Sequence, residues 1–255
     1  MTSPLDKGSF IKTLQSGQTT YGIFTGLAAP LAAEVAAASG VDWVLVDLEH
    51  GAGGEEQVSP TVVATGAYGV PTLVRIEAAE RIRIGRVLDA GVAGVMVPRL
   101  ESASEAEQVV RHFSYPPLGD RGVASYNRAA RWGLEPDALL PIKTAATIIQ
   151  IETLGALAEV NEIAHLEGVD LLFVGPLDLS YALGVPRQFD HPSFIAALKS
   201  VLAAAKNAGK PAGILAANAT AAKRFTDMGF SFIALSSDSV LLSQAIIENL
   251  ERAKN

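Results

Sequence analysis

Cysteine is absent from this chain of 255 residues. Disulfides, thiolate nucleophiles and zinc–thiolate sites are excluded together, and a reducing compartment fits the composition. Histidine is scarce, with 4 residues, so an imidazole-rich zinc centre is not expected. No apolar run approaches the roughly 18 residues that a membrane helix requires. Residues 1–14, MTSPLDKGSFIKTL, carry Asp6 early and lack the apolar centre of a signal peptide. Positive charge is in the minority: 20 Lys and Arg against 27 Asp and Glu give a net −7, with no long basic run. Neither nucleic acid nor an anionic membrane surface is therefore expected as a partner. The expectation is a cytoplasmic protein.

What is present in quantity is apolar sequence, 49% of the chain, enough to bury a sizeable core. Runs suited to strands covered on both faces recur at 21–25, 43–48, 72–76, 94–97, 147–151, 170–174, 212–215 and 231–235, eight in all. Helical periodicity separates them at 31–38, 82–90, 104–113, 156–164, 194–207, 219–228 and 240–253. Gly or Pro punctuates the passage from helix to strand, as at Gly40, Gly69, Gly91, Gly168, Gly209 and Gly229. No linker interrupts this alternation, and a single α/β barrel occupies roughly 250 residues. Residues 1–255 are expected to form one domain, a (β/α)8 TIM barrel.

One connection is long. Residues 115–144 separate the fourth and fifth strands and hold Arg121, Arg128 and Arg131. Loops of that length in compact domains are usually functional or mobile, so a lid or a subunit contact near the site is expected over the plain reading of an excursion that covers a barrel end. A second excursion, 181–192, follows Asp178.

In barrels the chemistry sits at the C-terminal ends of the strands, so the candidate site residues are those at the strand ends. The second strand ends Asp47-Leu48-Glu49-His50-Gly51. Alternation puts Asp47 and Glu49 on one face, and His50 is the histidine placed at a strand mouth, with two acids to orient it as a base. The third strand ends in Arg75, which is costly to bury unpaired. It is either bridged to Asp47, Glu49 or Glu77, or a fixed cation for a substrate oxygen that gains negative charge. Asp89 falls at a helix C-terminus, where an acid opposes the dipole, and solvent exposure is the plain reading of its position.

The segment 147–180 places Gln150 and Glu152 after the fifth strand and Asp178 after the sixth. Two carboxylates with few other protein ligands suit an octahedral Mg²⁺ or Mn²⁺ that keeps waters and binds substrate oxygens. The competing reading is that both acids cap the helices that follow. After Gly175-Pro176, the amides of Leu177 and Asp178 could face an anion at a helix start. Schiff-base chemistry is disfavoured, because Lys143 and Lys210 precede strands, Lys199, Lys206 and Lys223 lie in helical segments, and Lys7, Lys12 and Lys254 are near the termini. The segments after strands seven and eight lack the glycines common in barrel phosphate sites.

With these residues assembled, the chain resembles the HpcH/HpaI aldolase family, metal-dependent class II pyruvate aldolases of the 4-hydroxy-2-oxoheptanedioate aldolase kind, over nearly its whole length. The resemblance rests on Asp42-Trp43 through His50, Leu73-Val74-Arg75, Leu88-Asp89-Ala90-Gly91 and Tyr115-Pro116-Pro117 with Gly119, Arg121 and Gly122. It continues through Gln150-Ile151-Glu152-Thr153, Gly168-Val169-Asp170, Gly175 to Ser180 and Gly213-Ile214-Leu215. It implies a phosphoenolpyruvate/pyruvate-type barrel with Mg²⁺, Mn²⁺ or Co²⁺ on Glu152 and Asp178. His50 would be the base, paired to Asp89 as a dyad, with Arg75 at the keto oxygen. Gln150, Leu177, Asp178 and Leu215 would meet substrate, with Asp47 and Glu49 as supports behind them.

The resemblance also implies a homohexamer, a trimer of dimers, with the last helix at about 239–252 exchanged between subunits; the apolar spacing Leu241, Leu242, Ala245, Ile246 and Leu250 permits that and equally suits an ordinary core helix. Two departures bear on substrate: Phe24 stands where relatives often have Trp, and Leu177 is bulkier than the residue often found before the ligand Asp. The expected reaction is making or breaking the C3–C4 bond of 4-hydroxy-2-oxo acids, with pyruvate or hydroxypyruvate as nucleophile and an aldehyde as acceptor. An acyl-CoA ester lyase of the malyl- or citramalyl-CoA type, and a non-catalytic barrel that binds a 2-oxo acid, remain as alternatives.

Overall fold

The computed structural model describes residues 9–139 and 144–254. The expectations for Lys7 and Lys143 lie outside these residues. The first elements are α1 (Ser9–Gln15), β1 (Thr20–Thr25), α2 (Pro30–Ala38), β2 (Trp43–Asp47), α3 (Val58–Gly66) and β3 (Thr72–Arg75). They are followed by α4 (Arg81–Asp89), β4 (Gly94–Val97), α5 (Ala103–Phe113), β5 (Ala146–Ile151), α6 (Leu154–Ala158) and α7 (Val160–His165). The chain closes with β6 (Leu171–Val174), α8 (Pro176–Ala182), α9 (Pro192–Asn207), β7 (Ala212–Ala216), α10 (Ala219–Met228), β8 (Phe232–Ser237) and α11 (Asp238–Lys254). The strands pair in parallel, each with its sequence neighbour, and β8 returns to β1 to close the barrel. The (β/α)8 architecture is therefore as the sequence predicts.

The local differences have physical causes. Helix α3 is not among the helical segments named from the sequence; its Val58, Thr61, Val62, Val63 and Thr65 are β-branched and carry low helix propensity. Its Val58, Thr61, Val62 and Thr65 are buried, so packing overrides propensity there. The single helix expected over 156–164 breaks at Glu159, whose φ of −102° and ψ of 22° are not helical. The Glu159 carboxylate accepts the Ala103 N–H at the start of α5 (2.7 Å), which ties the break to a neighbouring helix.

The barrel interior is filled by side chains rather than open. Trp43 and Phe232 stack face to face, with centroids 4.1 Å apart and planes 7° from parallel. Gly22 is required beside them, because a Cβ there would fall within the Trp43 ring. Phe10 and Leu14 of α1 close this cluster at the N-terminal end of the strands, and Phe24 and Phe173 form its upper part. Truncating Phe232, which is fully buried, costs about 3–5 kcal/mol on the usual scale for aromatic-to-Ala changes. Above this floor the inward positions turn polar: Asp47, Arg75 and Gln150 are all buried.

The 115–144 excursion corrects an expectation. It follows helix α5 rather than a strand, so it leaves from the N-terminal end of the strands. There the Ala129 N–H donates to the Asp89 carbonyl (3.2 Å) and Arg121 Nη2 to Asp89 Oδ1 (2.7 Å). Arg121 also lies over the Tyr115 ring, 4.7 Å from its centroid. The described part of the excursion packs under α4 and is not a lid over the mouth of its own barrel.

Candidate active site

Strand register brings Asp47 beside Arg75. The guanidinium meets Asp47 in a two-point fork, Nε to Oδ1 at 2.9 Å and Nη2 to Oδ2 at 2.6 Å, and its Nη1 lies 3.3 Å from Glu49 Oε2. Its underside rests on Phe24, with the guanidinium carbon 5.1 Å from the ring centroid. Of the three acids that the sequence offers Arg75, Asp47 and Glu49 are engaged, while Glu77 pairs with Arg83 (2.8 Å). Burial alone would lower the Arg75 pKa, but the Asp47 hydrogen bonds and the charges of Asp47, Glu49 and Glu152 outweigh it and raise it. Arg75 is a permanent cation at the barrel mouth. Burial pushes Glu49 the other way, toward its neutral form, against the pull of Arg75 and His50.

After β2 the chain turns sharply. The backbone N–H groups of Glu49 and His50 both donate to Asp47 Oδ1, at 3.1 and 3.3 Å. One carboxylate thus orients Arg75 and shapes the turn that carries His50. The imidazole is 66% exposed, with Nε2 3.8 Å from Glu49 Oε2, which leaves a ring nitrogen accessible to a ligand in the mouth.

Asp89 lies elsewhere. It ends α4, which runs antiparallel to the strands, so it sits at the opposite end of the barrel from His50 and pairs with Arg121. Within one chain the expected His50–Asp89 dyad does not form. The plain reading of Asp89 as solvent-exposed is also incomplete, since its partner Arg121 is buried.

At the end of β5, Glu152 is 1% exposed. Its Oε1 accepts the backbone N–H of Arg99 (2.9 Å) and its Oε2 accepts from Gln150 Nε2. Burial raises the Glu152 pKa; Gln150 and Arg99 oppose this as hydrogen-bond donors, while the charge of Asp178 adds to it. Asp178 stands in the first turn of α8, 43% exposed, with Oδ1 3.5 Å from Arg99 Nη1. Glu152 caps no helix: Thr153 is the N-cap of α6, and Gly175 that of α8. Gly175 is required by close approach, because a Cβ there would lie 2.7 Å from Gln150 Nε2 and would also collide with the Glu152 carboxylate. Leu177 is exposed beside Asp178, and Leu215 of β7 packs partly buried on the interior cluster.

The donor set fits a hard divalent cation with open positions. Two carboxylates repel one another, the buried one is driven toward neutrality, and Gln150 Oε1 is buried without a hydrogen-bond partner. A dication between the carboxylates would relieve the repulsion and hold the buried Glu152 in its charged form. Among the described residues no three His, Cys, Asp or Glu converge as a complete metal cage, so the remaining positions would fall to water and ligand.

Arg99 escaped the sequence reading. It stands two residues beyond β4 with φ 63°, a left-handed conformation uncommon outside glycine. Its place just beyond β4, like that of Glu152 just beyond β5, is the sequence signal that marks it.

A parallel barrel with a fixed guanidinium and paired carboxylates at the C-terminal ends of its strands has the layout of a barrel enzyme. The family model described as HpcH/HpaI aldolase/citrate lyase matches residues 20–245. The chain belongs to that family and is a lyase of the aldolase kind. It is 39% identical to a pyruvate aldolase from Rhizobium etli, over 92% of this chain and 93% of that one. It is 38% identical to a hydroxypyruvate/pyruvate aldolase from Delftia acidovorans, over 97% and 93%. A solved HpcH/HpaI aldolase/citrate lyase family protein from Burkholderia cenocepacia superposes with TM-score 0.93 at 35% identity, over 97% of this chain and all of that one.

Proposed function

We propose that the protein is a divalent-metal-dependent aldolase that makes or breaks the C3–C4 bond of 4-hydroxy-2-oxo acids. Pyruvate or hydroxypyruvate would be the nucleophile and an aldehyde the acceptor. The observation that carries this reading is Arg75, locked by Asp47 and Glu49 on Phe24, beside the Glu152–Asp178 carboxylates. A divalent cation on Glu152 and Asp178 would supply Lewis acidity to the 2-oxo acid. Gln150 orients the Glu152 carboxylate. Arg75, already desolvated and oriented, stabilises negative charge as the keto oxygen becomes an enolate oxygen. His50 takes or returns the C3 proton from the open side of the mouth. The amides of Leu177 and Asp178 receive the substrate carboxylate at the start of α8, and Leu177 and Leu215 border the reacting carbons.

The assembly is proposed as a homohexamer with α11 exchanged between subunits. Support comes from α11 itself: Val240, Leu241, Leu242, Ile246, Ile247 and Leu250 are each 41–55% exposed in the single chain. In such an assembly Asp89 of one copy would pair with His50 of another, the dyad that one chain does not form.

The test is exchange of pyruvate methyl protons into D₂O, which needs no acceptor. Exchange that stops with chelator and returns with Mn²⁺ or Mg²⁺ supports the reading; chelator-insensitive exchange contradicts it. Metal-dependent binding of pyruvate without exchange would instead mark a binding barrel. Turnover of malyl- or citramalyl-CoA without 2-oxo acid cleavage would mark an acyl-CoA lyase. His50→Ala should slow exchange with metal binding intact, and Glu152→Ala should abolish both.

A further inference from the structure

The seam where the barrel closes carries an acid that the mechanism above does not use. The β1–β8 register shifts between Gly22 and Phe24, and Ser236 at the end of β8 takes φ 59°. Asp238 follows, 8% exposed, as the first residue of α11. Its Oδ1 accepts the backbone N–H of Gly26 (2.9 Å) and its Oδ2 that of Leu27 (3.3 Å). A carboxylate at the start of α11, directly after β8, therefore fixes the loop that leaves β1.

That loop in turn holds the turn that carries His50. The Gly26 carbonyl accepts the Ala52 N–H at 2.8 Å. Gly51, next to His50, lies so close that a Cβ on it would sit 3.4 Å from Gly26 Cα while colliding with the Asp47 carbonyl. His50 is thus pinned from two sides. Asp47 holds its backbone N–H from within the barrel, and Gly26 holds the chain two residues on from the seam. With two-thirds of the imidazole exposed, ring packing contributes little to its position, so backbone anchors decide where the ring nitrogen stands.

We propose that Asp238 is a positioning residue for His50, acting through the Gly26 carbonyl. The inference rests on His50 being the base. It also places the first residue of the helix proposed for exchange in direct contact with the loop that sets the base, so the docking of α11 bears on catalysis. A plainer role exists, since Asp238 Oδ1 also accepts the Ser239 N–H (2.7 Å) at the start of α11. The experiment must separate the two.

Pyruvate proton exchange is measured on the Mn²⁺-loaded wild type, Asp238→Ala, Asp238→Asn, His50→Ala and the Asp238→Ala/His50→Ala double variant. Ser237→Ala is the control, because Ser237 Oγ accepts the Val240 N–H at the same helix start (3.4 Å) without touching Gly26. Asp238→Ala should lower kcat on the order of 10–100-fold, the scale of a small misplacement of a reacting group. Pyruvate KM and Mn²⁺ affinity should hold. Asp238→Asn, which retains one acceptor oxygen and protects the fold, should fall between. In the His50→Ala background the Asp238 effect should vanish, because a residue that acts through another is not additive with it. An Asp238 effect that persists there, that Ser237→Ala reproduces, or that is absent in both Asp238 variants overturns the inference while the base assignment stands. Wild-type exchange left unchanged by His50→Ala removes the base assignment and the inference together.

Discussion

Arg75 is held by Asp47 through two parallel hydrogen bonds of 2.9 and 2.6 Å, with both side chains about nine-tenths buried. A fork of this kind fixes the plane of the guanidinium as well as its place. The fork leaves Nη1 for Glu49 and keeps the cation at the mouth in one orientation. Removing Asp47 would leave that cation buried with one partner fewer. Asp47→Ala is expected to cost about 3–5 kcal/mol, the range for breaking a buried pair from one side, measured by urea unfolding. Arg75→Lys keeps the charge but loses the fork. Its exchange kcat should fall by about 10²–10³-fold, the scale for losing a donor to a developing oxyanion, with Mn²⁺ affinity unchanged.

Glu49 gives a pH signature. Burial holds its folded pKa above the ordinary carboxylate range. Between the unfolded and folded values the folded protein binds more protons than the unfolded one, so stability falls as pH rises across that window and stays lower above it. Glu49→Gln removes the titration. Urea unfolding followed from acid to neutral pH should show the variant gaining on wild type through the window just above the ordinary carboxylate range. Parallel curves would contradict the assignment.

Gly175 tests the carboxylate site without touching a charge. Gly175→Ala places a methyl against Gln150 and Glu152. Mn²⁺ affinity measured by titration calorimetry should weaken about 10–100-fold, as for loss of groups that orient metal ligands. The circular dichroism spectrum should not change. Wild-type affinity would show that Glu152 can bind metal from another position.

Asp89 gives a test of assembly. If His50 of one copy meets Asp89 of another, His50→Ala and Asp89→Asn proteins, each impaired alone, should regain exchange activity when unfolded and refolded together. Mixed assemblies then contain sites with both native residues. Activity no higher than that of the separate proteins would remove the shared dyad. Leu242→Glu with Ile246→Glu, on the exposed face of α11, should reduce the species seen by sedimentation.

The sequence by itself determined the order of the eight strands and of most of the helices between them, because strands covered on both faces and helices covered on one leave different periods. It followed that Asp47, Arg75, Gln150, Glu152 and Asp178 stand at one end of the barrel, since each lies at or just after the C-terminal end of a strand. Tertiary structure decided which of them meet. The register of β2 against β3 chose Asp47 and Glu49 over Glu77 as partners of Arg75, a choice that residue spacing cannot encode. The antiparallel run of α4 sent Asp89 to the far end, where the excursion supplied Arg121. Arg99 and Asp238 were hidden because their roles depend on left-handed turns at 99 and 236 and on backbone amides brought from distant strands. Periodicity reports which face a residue occupies. Closing the barrel decides what that face touches.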